Sequence, residues 1–218
     1  DAYYRKTSDL LNNITTPMGN NFSNTVISNV GNMKNMGVEF NLNFIPIEKQ
    51  DMRWTINVNG TYQKTEITKL TNDDSTYLGV QTGANMGGTG GYTSLHRVGY
   101  APYTYYLYQQ AYDENGKAIQ NVLVDRDGDG SITEADRYVT GKSITPKFFF
   151  GLSSQFTYKK WDFGFNAHGS FGGYALNRIA MNNSSAFSDD YTKGYINNLS
   201  TNVLKTGWTR AISNEQKY

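Results

Sequence analysis

The stretch Phe148–Phe171, FFFGLSSQFTYKKWDFGFNAHGSF, decides the fold class of this chain. Apolar side chains occupy alternate positions on both sides of Lys159-Lys160. Because successive side chains of a strand point to opposite faces, the pattern predicts two strands of about 9 to 11 residues joined by a tight turn. The predicted apolar face comprises Phe148, Phe150, Leu152, Ser154, Phe156 and Tyr158, then Phe163, Phe165, Ala167, Gly169 and Phe171.

A second hairpin with the same alternation lies earlier in the chain. Its first strand is Val38–Phe44, its second begins at Trp54, and the connection through Ile45–Arg53 is short. The two hairpins are predicted at about residues 38–64 and 148–171. Asp1–Leu11 is predicted as a further strand, and the Asn- and Gly-rich residues 12–37 as a long loop with a short extended piece at 25–28.

Strand length and loop asymmetry together favour a membrane barrel. Strands of about 9 to 11 residues that end in aromatic side chains are typical of transmembrane β-strands, although a soluble sandwich alternates in the same way. The two hairpin turns are short and the other connections are long, as in barrels with short periplasmic turns. The predicted fold class is therefore all-β, an antiparallel transmembrane β-barrel segment with long extracellular loops.

Strand parity predicts where the long connections lie. If both short turns are periplasmic, the strand from Trp54 runs outward and the strand from Phe148 runs inward. Residues of about 65–147 and 172–218 are then extracellular excursions, unless they contain an even number of further barrel strands. Four clear strands are fewer than the minimum of about 8 for a membrane barrel, so we expect a fragment of a larger protein.

Composition excludes several classes of function. Lys and Arg number 20 against 19 Asp and Glu, so the charge gives no indication of nucleic-acid binding. Cysteine is absent, and the two histidines, His96 and His168, have no accompanying nucleophile or carboxylate pattern. We therefore expect a protein that is not an enzyme.

The segment Asp125–Asp136, DRDGDGSITEAD, has the spacing of a calcium loop. Carboxylates fall at its first, third, fifth and twelfth positions, with a glycine at the sixth, where the chain must turn sharply. The alternative is a solvated Asp-Gly turn that binds no ion. With Asp rather than Glu at the twelfth position, we expect a structural calcium site. The predicted metal ligands are Asp125, Asp127, Asp129, Ser131, Thr133 and Asp136.

The tyrosine-rich segment before this loop is a candidate ligand-binding strip. A flat aromatic ring complements the C–H face of a sugar, whereas packing within folded loops is the alternative. The candidate ligand-binding residues are Tyr103, Tyr105, Tyr106 and Tyr108.

Several segments, in order, carry a resemblance to a known family. They are DAYYRKTSDLL at 1–11, NVGNMKNMGVE at 29–39, Trp54 with Asn57 and Asn59, the Asp125–Asp136 loop, Gly141, Pro146 and YKKWD at 158–162. In these residues the chain resembles a segment from the C-terminal half of the barrel of SusC/RagA-type TonB-dependent outer-membrane transporters of Bacteroidota. The resemblance extends to about Tyr174 and is weak beyond Asn177.

The resemblance implies a partial importer of oligosaccharide or peptide nutrients in the outer membrane of a Gram-negative bacterium. The family implies a SusD-like surface lipoprotein as partner and contact with TonB through an N-terminal part that this sequence lacks. The alternative is a secreted, calcium-stabilised carbohydrate-binding β-sandwich. A dockerin-like module is disfavoured, because the Asp-rich loop occurs once and lacks helical flanks.

Overall fold

A computed structural model describes residues 1–15, 25–71, 78–85, 91–179, 201, 205–206 and 208. Its strands form sheets of five, four and two strands. None of the helical segments in the described ranges is both long enough and apolar enough to cross a membrane. The strands are β1 Ala2–Thr15, β2 Thr25–Lys49, β3 Met52–Lys69, β4 Val80–Asn85, β5 Tyr92–His96, β6 Thr104–Leu107, β7 Gln110–Tyr112, β8 Ala118–Leu123, β9 Tyr138–Ser143, β10 Phe148–Tyr158 and β11 Trp161–Phe171.

The five-stranded sheet, which we call the wall, has the order β1-β2-β3-β10-β11 with antiparallel neighbours. Residues 50–51 and 159–160 form its two tight turns, so the first turn is shorter than the predicted connection. Strand β3 pairs directly with β10, with Tyr62 opposite Phe148. The chain therefore leaves the wall after Lys69 and returns to the neighbouring position, with no further wall strand between.

The predicted loop at residues 12–37 is wrong at 12–15 and 29–37, which are strand, whereas the extended piece predicted at 25–28 lies in β2 and residues 16–24 lie outside the described residues. Strand β2 begins at Thr25, and β1 continues to Thr15, so that Ile27 pairs with Asn13 and Gly37 pairs with Tyr3. Sequence alternation does not mark this extension, because polar side chains occupy both of its faces. Backbone hydrogen bonds to β1 make this part of β2 a strand, although the side-chain pattern does not indicate one.

The register of the wall aligns its apolar side chains into one continuous band. Val38, Tyr62, Phe148 and Phe171 form one row across four strands, and rows further along contain Phe40, Leu42 and their partners. The large side chains of this band on β2 and β11 are solvent-exposed, with Leu42 50% and Phe165 56% exposed, whereas most of those on the central strands β3 and β10 are half-buried. A sandwich would cover such a face with a second sheet, whereas a barrel wall presents it to lipid.

Two glycines allow large rings to lie flat on the face of the wall that carries the apolar band, which we call the outward face. A Cβ atom at Gly60 would overlap the Phe40 ring, and one at Gly169 would overlap the Phe150 ring. Each glycine is the cross-strand partner of the phenylalanine that covers it. At these two places in the apolar band, a phenylalanine ring on one strand therefore covers a glycine on the next strand.

The chain divides into two compact units. The first contains the wall and comprises Asp1–Val80, His96–Thr104 and Gly141–Tyr174; the second comprises Gln81–Leu95, Tyr105–Thr140 and the residues from Ala175 onward. Strands β4, β5, β6 and β9 form a four-stranded sheet, which we call the loop sheet, in the order β4-β5-β6-β9. Strands β7 and β8 form a separate hairpin. Most of the expected 172–218 excursion lies outside the described residues.

Candidate functional site

The Asp-rich segment Asp125–Asp136 lies between β8 and β9 and folds as a compact loop, which we call the Asp loop. The Asp125 carboxylate accepts a hydrogen bond from the Gly128 N–H at 2.6 Å and another from the Gly130 N–H at 2.8 Å. Both glycines have positive φ angles, 76° and 83°, which side chains other than glycine rarely adopt. The glycine spacing therefore permits the chain to wrap around the first carboxylate.

Asp136 closes the Asp loop by binding both of its ends. Its carboxylate accepts a hydrogen bond from the Thr133 N–H and one from the Arg126 N–H, each at 2.7 Å. The Thr133 hydroxyl in turn accepts from the Ala135 N–H, which completes a capping box on the short 3₁₀ helix Glu134–Asp136. The backbone donors, first that of Thr133 and then that of Arg126, hold the pKa of the buried Asp136 below its usual value.

Three of the predicted metal ligands converge in the Asp loop. One oxygen each from Asp125, Asp127 and Asp136 lie within 4.8 Å of one another. The Asp129 N–H lowers the pKa of Asp127, but desolvation and the neighbouring carboxylates together outweigh it, so that this pKa is raised. A set of crowded carboxylate oxygens fits a hard divalent cation, which would relieve their repulsion.

The other predicted ligands make local contacts. The Asp129 carboxylate accepts from the Ser131 N–H at 2.7 Å, while the Thr133 hydroxyl is used in the capping box. Asp129 does not belong to the convergent group, which comprises Asp125, Asp127 and Asp136. Ser131 was predicted to offer its backbone carbonyl and Thr133 an oxygen, directly or through water, and those remain predictions.

Arg137 connects the Asp loop to the loop sheet, a role that sequence reasoning missed. Its side chain is 1% exposed and its guanidinium donates to the carbonyl oxygens of Tyr92 and Tyr106, at 2.7 Å for the latter. The same group lies over the Tyr106 ring, 4.2 Å from its centroid. Only its position directly after Asp136 could have drawn attention to it, because a single arginine carries no pattern.

Three of the four candidate ligand-binding tyrosines are buried, so the predicted stacking on a ligand does not fit them. Tyr105, Tyr106 and Tyr108 are each 8% exposed or less. Tyr106 donates to the Glu134 carbonyl, Tyr105 accepts from the Leu176 N–H, and burial raises the pKa of Tyr108. Tyr105 and Tyr106 belong to β6 of the loop sheet, where both side chains are buried.

Tyr103 differs from the other three candidates. It is 40% exposed and has a positive φ of 54°, and its ring meets the His96 ring edge-on at 4.6 Å between centroids. Burial lowers the pKa of His96. His168 is exposed on the polar face of the wall opposite Gly151. Neither histidine belongs to a metal-binding group among the described residues.

Gln110 organises the β7–β8 hairpin and was also not predicted. Its side-chain amide donates to the carbonyl oxygens of Ala111, Ile119 and Val122 at 2.6 to 3.0 Å. The residue is 5% exposed. A buried amide that satisfies several carbonyls fixes the hairpin before the Asp loop begins.

Searches of known sequences find TonB-dependent receptors. Over 196 residues, 87% of this chain, the sequence is 39% identical to the TonB-dependent receptor SusC of Bacteroides thetaiotaomicron. It is 30% identical over 81% of its length to the TonB-dependent receptor P3 of Formosa agariphila. The chain spans 19% of each of these relatives, about a fifth of their length. No family model matches the chain.

Solved structures of the RagAB peptide importer share the fold. The closed-closed state matches 86% of this chain with a TM-score of 0.63 and 23% identity, and the open-open state matches 87% with a TM-score of 0.59 and 21% identity. The chain covers 20% and 19% of those chains. The Asp loop, Arg137 and the wall therefore occur in a segment whose sequence and fold have receptor counterparts.

Proposed function

The chain is a relative of the SusC/RagA-type TonB-dependent receptors, and on that premise we propose that it forms part of the barrel of an outer-membrane importer. The cargo is an oligosaccharide or peptide nutrient, and the host is a Gram-negative, Bacteroidota-like bacterium. The relatives are receptors and transporters rather than enzymes. The single observation that carries the proposal is the exposed apolar band of the wall, aligned in register from β2 to β11.

The two faces of the wall differ as membrane spanning requires. The outward face carries Leu42, Val58 and Phe165, whereas the opposite face carries Asn41, Asn59 and other amide and hydroxyl side chains. Exposed apolar area of this extent is unfavourable in water and favourable against lipid. The amide-rich face fits a hydrated lumen.

The proposed partners follow from the family. A SusD-like surface lipoprotein would cover the extracellular side of the barrel, and TonB would act through a segment that lies outside this chain. Tyr103, the exposed candidate, remains our proposal for direct ligand contact. Of the two proposed cargo classes, the likeness to the RagAB peptide importer supports a peptide. The identity to the TonB-dependent receptor SusC supports a TonB-dependent importer without favouring either class.

We further propose that the Asp loop binds structural calcium. The convergence of Asp125, Asp127 and Asp136 supports this proposal, as does the raised pKa of Asp127. Calcium accepts several carboxylate and carbonyl oxygens, which these residues and the backbone can supply. The ion would hold the loop in shape and would take no part in chemistry.

Calcium binding is tested with Asp127→Asn in the full-length receptor. We expect calcium to raise the melting temperature of the wild type and chelator to lower it, and the variant to lose most of this difference. Asp113→Asn is the matched control, since Asp113 also caps a turn, through the Asn115 and Lys117 N–H groups. A wild-type melting temperature that is equal in calcium and chelator would contradict the site.

The membrane arrangement is tested by cysteine labelling in cells that produce the full-length receptor. Cysteine replaces Asp129 in the Asp loop or Asp51 in the tight β2–β3 turn. A membrane-impermeant maleimide should label position 129 on intact cells and position 51 only after the outer membrane is permeabilised. Labelling of position 51 on intact cells to the same extent would refute the proposed orientation.

The cargo is tested by deleting the receptor gene and comparing growth on oligosaccharides and on peptides as the limiting nutrient. We expect loss of growth on one class, restored by the wild-type gene. Tyr103→Ala should weaken cargo binding to the purified receptor, whereas Tyr112→Ala, at another exposed tyrosine, should not. Unchanged growth on both classes would contradict the importer proposal.

A further inference from the structure

We propose that a cavity beside β3, in the plane of the wall, binds a single six-membered ring of a neutral sugar. The cavity has a volume of about 170 Å³, and we call it the ring cavity. All of its lining belongs to the first compact unit. The inference rests on the proposed function, because it selects the oligosaccharide from the two proposed cargo classes. The lining residues that carry the argument are Gln63, Thr65, Tyr100, Ala101, Ser143 and Thr145.

The ring cavity begins where the ladder between β3 and β10 ends. The last strand pair is Tyr62 with Phe148. Next to it, the Gln63 N–H donates to the Lys147 carbonyl at 2.8 Å. The residue before Lys147 is Pro146, which has no N–H with which to continue the ladder. Strand β3 therefore runs on to Lys69 without β10 beside it.

A second segment closes the far end of the cavity. The Ile67 N–H donates to the Tyr100 carbonyl, and the Gly99 N–H donates to the Ile67 carbonyl, each at 2.9 Å. Thr65 lies midway between Gln63 and Ile67, and alternate residues of an antiparallel strand direct their backbone groups to the same edge. The Thr65 backbone therefore faces the cavity, in the place where a longer β10 would have paired with it.

The size of the ring cavity selects its occupant. Its volume of about 170 Å³ is several times the roughly 30 Å³ that one water molecule occupies in the liquid. An engineered cavity of about 150 Å³ in another protein accommodates benzene. One six-membered ring therefore fits, whereas a chain of rings does not. A longer oligosaccharide would place only one of its rings here.

The lining suits a ring that carries hydroxyl groups. It includes Gln63, Thr65, Ser143 and Thr145, whose side-chain amide and hydroxyl groups both donate and accept hydrogen bonds. The buried Ser143 is held in place, since its hydroxyl donates to the Pro102 carbonyl at 2.7 Å and accepts from the Thr145 N–H at 3.2 Å. A sugar ring presents hydroxyls around its edge, so it can meet such groups on several sides at once.

The polar network beside the cavity is short of a donor. The Asn35 Nδ2 donates to Gln63 Oε1 at 3.4 Å and to Thr65 Oγ1 at 2.8 Å. The Asn35 Oδ1 is buried and has no hydrogen-bond partner in the part of the chain that the structure describes. A buried acceptor without a partner is costly. A ligand with several O–H donors therefore suits this network better than a ligand without them.

The outward side of the cavity favours a neutral ligand. Lys64 and Glu66 line it there. The Glu66 carboxylate lies 3.6 Å from the Lys64 ammonium and 3.0 Å from that of Lys34. These charges are paired within the protein, so this side offers hydrogen bonds without requiring a counter-ion.

The first test is cysteine protection in the purified full-length receptor. Cysteine replaces Thr145 in the lining, or Tyr112 at an exposed control position, and the receptor without either change gives the background. The probes are the methyl α-pyranosides of glucose, galactose and mannose. At about ten times its dissociation constant, a bound glycoside should slow maleimide labelling of position 145 roughly tenfold, as one-site binding requires. Labelling of position 112 should not change.

The second test measures binding of the same glycosides by calorimetry. Ala101→Phe places a large side chain in the lining and should weaken binding about tenfold or more. Ala167→Phe, at an exposed alanine opposite Leu152, is the matched control and should bind as the wild type does. Tyr100→Leu should weaken binding about fivefold, because an aromatic ring complements the C–H face of a sugar. Heat-modifiable mobility on gels checks that each variant is folded.

Two results would overturn the inference directly. One is unchanged labelling of position 145 with all three glycosides, and the other is equal affinity in Ala101→Phe and Ala167→Phe. Acetylglycinamide, a neutral peptide fragment, is the competing probe. Protection of position 145 by this amide and not by the glycosides would make the cavity a peptide subsite and would overturn the inference as well.

Failure of the inference is distinguishable from failure of the proposed function. If the receptor supports growth on oligosaccharides but no glycoside protects position 145, the importer proposal stands and the ring cavity does not. If deletion of the gene leaves growth on both nutrient classes unchanged while position 145 is protected, the cavity binds a sugar ring and the importer proposal fails.

Discussion

On β2 and β11 of the wall the large side chains of the apolar band are exposed, with Leu42 at 50% and Phe165 at 56%, whereas in the loop sheet Leu95 is fully buried and Tyr106 is 5% exposed. One chain therefore follows two opposite rules for side-chain burial. The loop sheet hides its apolar groups as water demands, and the wall displays them as lipid demands. The difference teaches that burial can be interpreted only once the solvent of each region is known.

The two regions also differ in the hydrogen bonds that hold each of them together. The wall relies on a backbone ladder that runs the full length of β10, with every residue paired on both sides. The loop sheet and the Asp loop rely on buried polar groups: Arg137 donates to two carbonyls of the sheet, and Asp136 accepts from two N–H groups of the loop. Substitutions should therefore act through lipid contact in one region and through hydrogen bonding in the other.

The largest effect is expected from a charge on the outward face of the wall. Leu42→Arg should destabilise the folded receptor by about 2 to 4 kcal/mol in a bilayer, because arginine at the midplane of the lipid face is costly. Asn43→Arg, on the opposite face, is the control and should have a small effect. Urea unfolding in lipid vesicles measures the free energy of unfolding of both variants. Equal losses in the two variants would contradict the assignment of one face to lipid and the other to the lumen.

A somewhat smaller effect is expected from the loop sheet. Arg137→Met keeps the side-chain volume but leaves the Tyr92 and Tyr106 carbonyls without their donor, at a cost of about 2 to 3 kcal/mol. Hydrogen exchange should rise in β5 and β6 and remain unchanged in β10. If exchange rises equally in both regions, the polar network is not specific to the loop sheet.

A third change examines the packing of rings over glycines in the wall. Gly60→Ala should cost about 1 to 2 kcal/mol, because the new methyl group overlaps the Phe40 ring. The double variant with Phe40→Leu should recover part of this loss, since leucine can move aside. Stability that is equal in the single and double variants would show that the ring does not cause the penalty.

The smallest effect is a pH dependence confined to the loops. The Thr133 and Arg126 N–H groups lower the pKa of Asp136. The ionised carboxylate therefore stabilises the folded loops fully above its unfolded pKa of about 3.9, and this stabilisation is lost as pH falls through the lower, folded pKa. Burial lowers the pKa of His96, because the charged imidazolium is disfavoured there. The folded loops therefore lose stability as pH falls below the unfolded pKa of about 6.5, where the unfolded chain takes up the proton first.

Single substitutions separate these two contributions. His96→Gln should remove the change in protease resistance that begins below about pH 6.5 and leave the more acidic one. Asp136→Asn should do the reverse. A protease-resistance profile of the loops that is identical in both variants would contradict the assignment.

The wall was predictable where its solvent imposed a pattern. Phe148–Phe171 alternates because one face meets lipid and the other does not, and both hairpins were found from that alternation. Residues 29–37 were missed because polar and apolar residues are mixed at both alternating sets of positions in that part of β2, so the sequence shows no clear alternation, although the backbone pairs with β1. Strands β4, β5 and β9 of the loop sheet were missed because each has at most six residues, too few to establish a period.

The candidate site was predictable to the extent that its chemistry is local in sequence. The Asp loop places its carboxylates through spacing, and the structure brings Asp125, Asp127 and Asp136 together. Arg137 acts on Tyr92 and Tyr106, which lie 45 and 31 positions away, so no short motif contains its partners. The burial of Tyr105, Tyr106 and Tyr108 was not foreseen, because composition does not reveal which rings become interior.

The direct pairing of β3 with β10 has a consequence for how receptors of this kind can diversify. The Gln63 N–H donates to the Lys147 carbonyl at 2.8 Å, so the chain re-enters the wall directly beside β3, the strand from which it left after Lys69. Everything between is an insertion with its ends already joined by the wall. Closing a longer insertion costs only about 0.6 kcal/mol for each doubling of its length. Such a junction permits exchange of the whole segment between β3 and β10 by recombination while the wall continues to fold.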